Sequence, residues 1–261
     1  MQSTCMQCGL CKQVCDKVWK AITLTPEGPK IDLEQCSACG HCVAICPTGF
    51  IENEKSPAQR EIGETLPYET AETFLRSVRS VRSFKPEAVA RETLMKLIDI
   101  GRYPQTGSNR QGISYLMVET PAKKQALLDA FCQSADLVKD DASYAWLTRF
   151  VDNYKQTGHD AIFHGSPQAL IALYDKSGPG SPANAQYSLT FVSLIAPSLG
   201  VGTCWAGIFQ GLAMNDKCNG PIREYLGLSP DQCIGGALMV GYPTHSFKRL
   251  VARDPLSVQF I

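Results

Sequence analysis

The chain has 261 residues, with 25 basic and 25 acidic side chains and a formal net charge of zero. No global field therefore draws it to nucleic acid or to an anionic membrane. The length suits one sizeable domain plus a small one. The longest apolar stretch, from Leu189 to Val201, is interrupted by Ser193, Pro197 and Ser198 and is too short to cross a bilayer.

In chain order, cysteines come first. Eight of the twelve fall in two copies of one unit, Cys5, Cys8, Cys11, Cys15 and Cys36, Cys39, Cys42, Cys46, each residue 31 positions before its counterpart (36 − 5 = 31). The C-x2-C-x2-C-x3-C spacing is similar to that of bacterial two-cluster ferredoxins. A cubane cluster needs four converging thiolates; a tight loop supplies three and the fourth comes from elsewhere. In such ferredoxins the last cysteine of each run serves the other cluster. The resemblance thus implies one [4Fe–4S] cluster on Cys5, Cys8, Cys11 and Cys46, and a second on Cys36, Cys39, Cys42 and Cys15. Pro47 follows Cys46 as expected, but Asp16 follows Cys15 where proline is usual. A carboxylate there biases the adjacent cluster to lower potential. Zinc sites pair C-x2-C units across a longer gap. A disulfide framework needs a secreted context, and no charged-then-apolar leader opens the chain. A reducing cytoplasm is the expected location. Cys132, Cys204, Cys218 and Cys233 lack ligand spacing and read as small buried apolar residues.

Residues 1–51 form the expected cluster domain, 52–67 a charged, Pro- and Gly-punctuated linker, and 68–261 a second domain. In the latter, expected strands are Ile113–Val118, Ala169–Tyr174, Ile234–Val240 and Leu256–Ile261. Helical patterns cover Glu72–Arg79, Arg91–Ile100, Ala122–Cys132, Asp140–Tyr154 and Ala183–Leu199. The last has Ser181 to cap it, Pro182 in its first turn and Gly200 to end it. Apolar residues around its circumference (Phe191, Leu194, Ile195) predict burial on more than one side.

No G-x-G-x-x-G or Walker A run occurs. Three arginines, Arg76, Arg79 and Arg82, alternate with serines before Phe84. Such a run is either a solvated basic face or an anion site, since Arg forks bind phosphate oxygens in pairs. Then come a polar loop, Tyr103 to Gln111, a strand-to-helix passage, Gly200 to Gly207, and a basic pair, Lys248 and Arg249.

In this order the four segments resemble the nitroreductase family of FMN-dependent oxidoreductases, over roughly Tyr68 to Ile261; with the clusters, the chain is similar to ferredoxin-fused members. The resemblance implies an α+β fold, a central mixed sheet with flanking helices, preceded by the small ferredoxin-like domain. It also implies a homodimer with FMN at the interface. On alignment at Phe84, Arg79, Ser80 and Arg82 fall at phosphate- and ribityl-binding positions, with Arg76 only a neighbour. Gln105, Thr106, Gly107 and Asn109 match the loop laid against the isoalloxazine by the opposite subunit. Ala206 and Gly207 match the backbone facing its N5 and pyrimidine edge, and Arg249, with Lys248, the C-terminal phosphate clamp. His159 and His164 lie where some members line the substrate site, and neither is assigned a catalytic role.

The implied function is reduction of a small planar acceptor (nitroaromatic, quinone or activated alkene) by hydride from flavin N5, with the clusters exchanging electrons with FMN. A ferredoxin or NAD(P)H is the expected donor. Two alternatives stand beside it: an electron relay without organic substrate, and a flavin enzyme of this fold running in the oxidative direction.

Overall fold

The computed structural model describes residues 4–261, which divide into two compact units, residues 4–65 with 105–110, and 66–104 with 111–261. The smaller unit contains helix α1 (Leu10–Asp16), an antiparallel hairpin of β1 (Ile22–Thr25) and β2 (Gly28–Ile31), and helix α2 (His41–Ala44). Ile22, Cys42 and Ile51 form its small buried core, with Cys11, Cys15 and Cys46 packed against them. So few apolar side chains make a marginal core, and a domain of this size normally depends on a metal or crosslink.

The larger unit is built on a four-stranded sheet in the order β3-β4-β6-β5, comprising β3 (Ser114–Val118), β4 (Gln168–Asp175), β5 (Gly202–Trp205) and β6 (Gln232–Gly241). All three neighbouring pairs are antiparallel. The parallel element is the bridge between Ser80 and Thr203 at the edge. Because side chains alternate across a strand, β4 and β6 each feed two cores. Ile171, Leu173, Ala237 and Met239 face α5 (Pro121–Asp136), α6 (Ala145–Thr157), α8 (Gly207–Ala213) and α9 (Gly220–Leu226), where Leu127, Phe131, Leu147, Phe209 and Ile222 are buried. Leu170, Ala172, Leu238 and Val240 face α4 (Arg91–Asp99) and α7 (Pro182–Ile195). Burial on both faces explains why β4 and β6 read as nearly continuous apolar runs.

Helix α7 has the expected ends. Ser181 Oγ accepts from Asn184 N–H at 3.1 Å, Pro182 occupies the first turn, and Gly200 takes φ 67° after a closing 3-10 turn. Its burial is narrower than expected: Ala185, Ser188, Leu189 and Val192 are buried, whereas Phe191 is 37% exposed within this chain. Just before it, Gly112 (φ 68°) and Gly180 meet backbone to backbone, so that a Cβ on Gly180 would lie 2.2 Å from the Gly112 carbonyl oxygen. Gly180→Ala is therefore expected to cost at least about 1–3 kcal/mol, the range for forced overpacking, read as a lower urea midpoint with an unchanged slope.

Two expectations are corrected. Leu256–Ile261 forms no strand; Leu256 and Phe260 are 87% and 93% exposed. Alternation alone does not make a strand, which needs a partner's backbone groups. Helix α3 (Tyr68–Ser77) stops before Arg79: Val78 turns extended at ψ 132°. Arg76 therefore stays in the last turn of the helix, while the segment from Arg79 to Arg82 runs beside β5, with Val81 N–H donating to Thr203 O at 2.9 Å.

Candidate functional sites

The repeat in the cysteine sequence is also a repeat in backbone geometry. Gln7 and Ala38, 31 residues apart, have φ 55° and 58°; Gly9 and Gly40, likewise paired, have φ 74° and 72°. Left-handed residues curl each loop so that amides point inward, a geometry suited to anions. Gln7 N–H meets Cys5 Sγ and Ala38 N–H meets Cys36 Sγ, both at 3.4 Å. Gly9 and Gly40 then open α1 and α2, where the positive φ is accessible without a Cβ.

One cavity is lined by Cys5, Cys8, Cys11 and Cys46, with Leu24, Pro29, Phe50 and Ile51 around them. Burial pushes the Cys11 thiol up, and the neighbouring Cys46 and Cys8 add to the rise. Cys46 is also opposed by burial, but the Ile51 and Thr48 amides outweigh it and bring its thiol down to about 7. In the second loop burial raises the Cys42 thiol, Asn53 opposes the rise, and Cys36 and Cys39 add to it. Cys15 Sγ accepts from Ala21 N–H at 3.3 Å. Asp16, the departure from proline, pairs with Lys12 at 2.7 Å. Four cysteines around one cavity, with backbone amides on the sulfurs of Cys5 and Cys46, suit an anionic iron–sulfur cluster better than an inert thiol core.

In the larger unit a cavity of about 690 Å³ is lined by Arg79, Ser80, Val81, Arg82, Thr203, Trp205 and, from the C-terminal segment, Arg253. That volume is within the roughly 300–1,000 Å³ of small-molecule sites. Arg79 Nη1 donates to the carbonyls of Arg76 and Val78, both at 2.9 Å, but its Nη2 is buried with no partner. An orphaned guanidinium N–H costs free energy unless an anion completes it. Arg82 reaches electrostatically to two neighbours: burial raises the Cys204 thiol and Arg82 opposes this, while burial lowers the His164 imidazole and Arg82 adds to the drop.

Of the residues singled out in the sequence, Arg79, Ser80 and Arg82 come together at this cavity. Ala206 is buried at the turn from β5 into α8, its N–H committed to Ala237 O at 3.0 Å; Gly207 begins the helix. Arg249 and Lys248 are exposed and do not line the cavity, which takes Arg253 instead, four residues further on. Thr203 and Trp205, within the Gly200–Gly207 passage, line it too, as does Arg253, for which the sequence carries no signal. Gln105, Thr106, Gly107 and Asn109 belong to the smaller unit, where Asn109 Nδ2 donates to the carbonyls of Ser37 and Ala38 at 3.2 and 2.8 Å. His159 is exposed and His164 half-buried at φ 49°. Cys132, Cys204 and Cys218 are buried and Cys233 is partly so.

The profile of the nitroreductase family matches residues 75–242, and that of a 4Fe-4S dicluster domain matches residues 4–50. A nitroreductase with bound FMN from Bacteroides fragilis superposes with TM-score 0.57 at 18% identity, covering 74% of this chain and 100% of its own. A BluB-like flavoprotein from Clostridium difficile gives 0.54 at 19%, covering 71% and 94%. One from Desulfitobacterium hafniense, also a nitroreductase with bound FMN, gives 0.53 at 19%, covering 74% and 100%. At these identities the likeness is one of fold. The cysteine-rich segment is 46% identical over 48 residues to one component of the Na(+)-translocating ferredoxin:NAD(+) oxidoreductase complex of Acetobacterium woodii, which is 18% of this chain and 14% of that protein. The chain therefore spans only a small part of the curated relative it matches. No helix among the described residues is long and apolar enough to cross a membrane.

Proposed function

The chain belongs to the nitroreductase family, and from that premise we propose that it is an FMN-dependent reductase whose own pair of [4Fe–4S] clusters exchanges electrons with the flavin. The observation that carries the reading is the buried, unpartnered Nη2 of Arg79 in a cavity it shares with Arg82 and Arg253. Three guanidinium groups around one concavity suit a phosphate monoester. Ser80 adds a neutral donor, and Trp205 an aromatic wall. Of the pair expected at the flavin edge, Ala206 has its amide engaged, so Gly207 is the one whose N–H opens a helix without an intrahelical acceptor. The Gln105–Asn109 loop is assigned to the ring, and Arg249 to the phosphate periphery, on family resemblance.

Bound FMN supplies two-electron chemistry to a small planar acceptor such as a nitroaromatic, quinone or activated alkene. The protein's part is to hold the phosphate, orient the ring and exclude water. The eight cysteines Cys5, Cys8, Cys11, Cys46, Cys36, Cys39, Cys42 and Cys15 hold the clusters, which fits a one-electron donor such as a reduced ferredoxin, with NAD(P)H as competitor. A homodimer accounts for Phe191, Tyr187 and the tail residues Leu256 and Phe260, all apolar and exposed in the single chain.

Protein purified without oxygen is expected to carry about eight iron atoms and about one FMN per chain. Its flavin should be bleached by reduced ferredoxin faster than by NADH or NADPH in stopped flow. Colourless protein that takes up neither iron nor flavin on anaerobic reconstitution would reject the reading.

A further inference from the structure

Both cysteine loops turn on a left-handed residue that is not glycine, Gln7 in the first and Ala38 in the second, at φ 55° and 58°. That conformation is sterically costly for an L-residue, and alanine has no polar side chain to compensate it locally. In each loop the same residue aims its N–H at a ligand sulfur, Cys5 or Cys36, at 3.4 Å. Gln7 also anchors itself, since its Nε2 donates to the Thr25 and Pro26 carbonyls at 3.2 and 3.1 Å. Ala38, the equivalent position (38 − 7 = 31), has only a methyl group.

An anchor for the second loop comes from far along the chain. Asn109 Nδ2 donates to Ser37 O at 3.2 Å and to Ala38 O at 2.8 Å. Ser37 O and Ala38 N–H are opposite ends of one planar trans peptide. The carboxamide therefore holds from behind the very group whose front faces Cys36, and hydrogen bonds in series polarise one another. Ser37 Oγ, on the same loop, is buried without a partner, so water does not reach that hydroxyl. Residues 105–110 fold with the smaller unit although the chain before and after them belongs to the larger. Two successive residues there, Ser108 and Asn109, are themselves left-handed, at φ 55° and 53°. Such strain persists only where surroundings enforce it, and asparagine accepts it more readily than most residues.

We propose that Asn109 is a positioning residue for the second iron–sulfur site, holding the Ser37–Ala38 peptide so that its N–H faces Cys36 Sγ. This deepens the proposed function and rests on its reading of the eight cysteines as ligands of two clusters. The side chain of Asn109 is thereby committed to the cluster loop, whereas family resemblance assigned it to the flavin ring. Retention of the second cluster, on Cys36, Cys39, Cys42 and Cys15, then depends on a residue that lies outside the cysteine repeat. The first, on Cys5, Cys8, Cys11 and Cys46, depends at the equivalent point on Gln7 within it.

The test is iron retention by the full chain, prepared without oxygen and challenged with a ferrous chelator, with flavin and cysteine proton spectra followed alongside. Asn109→Asp keeps a residue that tolerates φ 53° but sets an acceptor against two carbonyls. It should release about four of about eight iron atoms. The release should be roughly tenfold faster than from the unaltered chain, as expected for one or two lost hydrogen bonds. The paramagnetically shifted β-protons of Cys36 and Cys42 should fade while those of Cys5 and Cys8 stay. Gln7→Glu should show the reverse selectivity. Adding Ala38→Gly to Asn109→Asp relieves the steric cost at φ 58° and should restore much of the retention, which a general loss of stability would not allow. If the aspartate variant does not fold, Asn109→Gly adds no charge and should show the same selective loss. Equal loss from both sets, unchanged release, or loss of flavin with all iron kept overturns the inference. Collapse of the whole fold in both Asn109 variants overturns it as well, because Asn109 would then serve the scaffold at large. Absence of iron from the unaltered protein fails the reading of the cysteines instead.

Discussion

Arg79→Met is expected to weaken FMN binding about ten- to a hundredfold while leaving the melting temperature of the flavin-free protein nearly unchanged. The loss follows from removing a charge-assisted hydrogen bond, about 1.5–3 kcal/mol, at about 1.4 kcal/mol per tenfold change in affinity. The indifference of the flavin-free protein follows from opposing contributions. The substitution forfeits the Nη1 bonds to the Arg76 and Val78 carbonyls, at 2.9 Å each, but also removes the buried Nη2 that has no partner. Arg76 is the natural control. It is exposed and paired with Glu72 one turn away at 2.8 Å, a surface pair worth about 0.3–0.5 kcal/mol. Arg76→Met should therefore hardly alter flavin affinity. Fluorescence titration of the stripped protein with FMN measures both variants. Equal losses at Arg76 and Arg79 would mean the run acts as a diffuse basic patch, and the anion site would have to be abandoned.

A second large effect belongs to the scaffold. Asp160→Ala should cost about 3–5 kcal/mol, the range for removing one member of a buried ion pair. Lys124 Nζ lies 3.0 Å from Asp160 Oδ2, with the two side chains only 10% and 11% exposed. The same carboxylate accepts from Phe163 N–H at 2.8 Å and from Gly165 N–H at 3.2 Å. It thus fixes the segment that inserts Phe163 against Phe209, ring centroids 5.2 Å apart, and holds His164 in its left-handed conformation. Without Asp160 the ammonium of Lys124 is stranded, and the backbone donors of that turn are unmet. The double variant Lys124→Met, Asp160→Leu removes both charges and should recover a good part of the loss, because desolvating a pair offsets much of its attraction. Urea unfolding of the single and the double variant measures the recovery. A single-variant cost below about 1 kcal/mol would show that Lys124 escapes to solvent.

The surprises in the chain fall where local pattern meets long-range geometry. Asn53 sits in a segment that reads as charged linker, yet it is buried against two thiolates. Nothing in Glu52-Asn53-Glu54-Lys55 signals this except its offset of 31 from buried Ile22. Arg253 lines the cavity in place of Arg249 because the chain beyond β6 has no regular structure to set a period, so its path decides which guanidinium arrives. The hairpin of β1 and β2 is too short for alternation to register.

What the residues alone determined is whatever chemistry at fixed spacing can impose: the paired cysteine runs, the Ser181 cap and Gly200 stop of α7, and the apolar runs that become β4 and β6. These rest on contacts within a few positions, or on burial that any sheet of this kind requires. What only tertiary structure decided is which polar groups end up without water. Arg79 Nη2, the Asn53 amide and the Lys124–Asp160 pair are set by neighbours tens to more than a hundred positions away, or by a turn of the backbone. Desolvation depends on the surrounding atoms in space, and that surrounding exists only once the chain has folded.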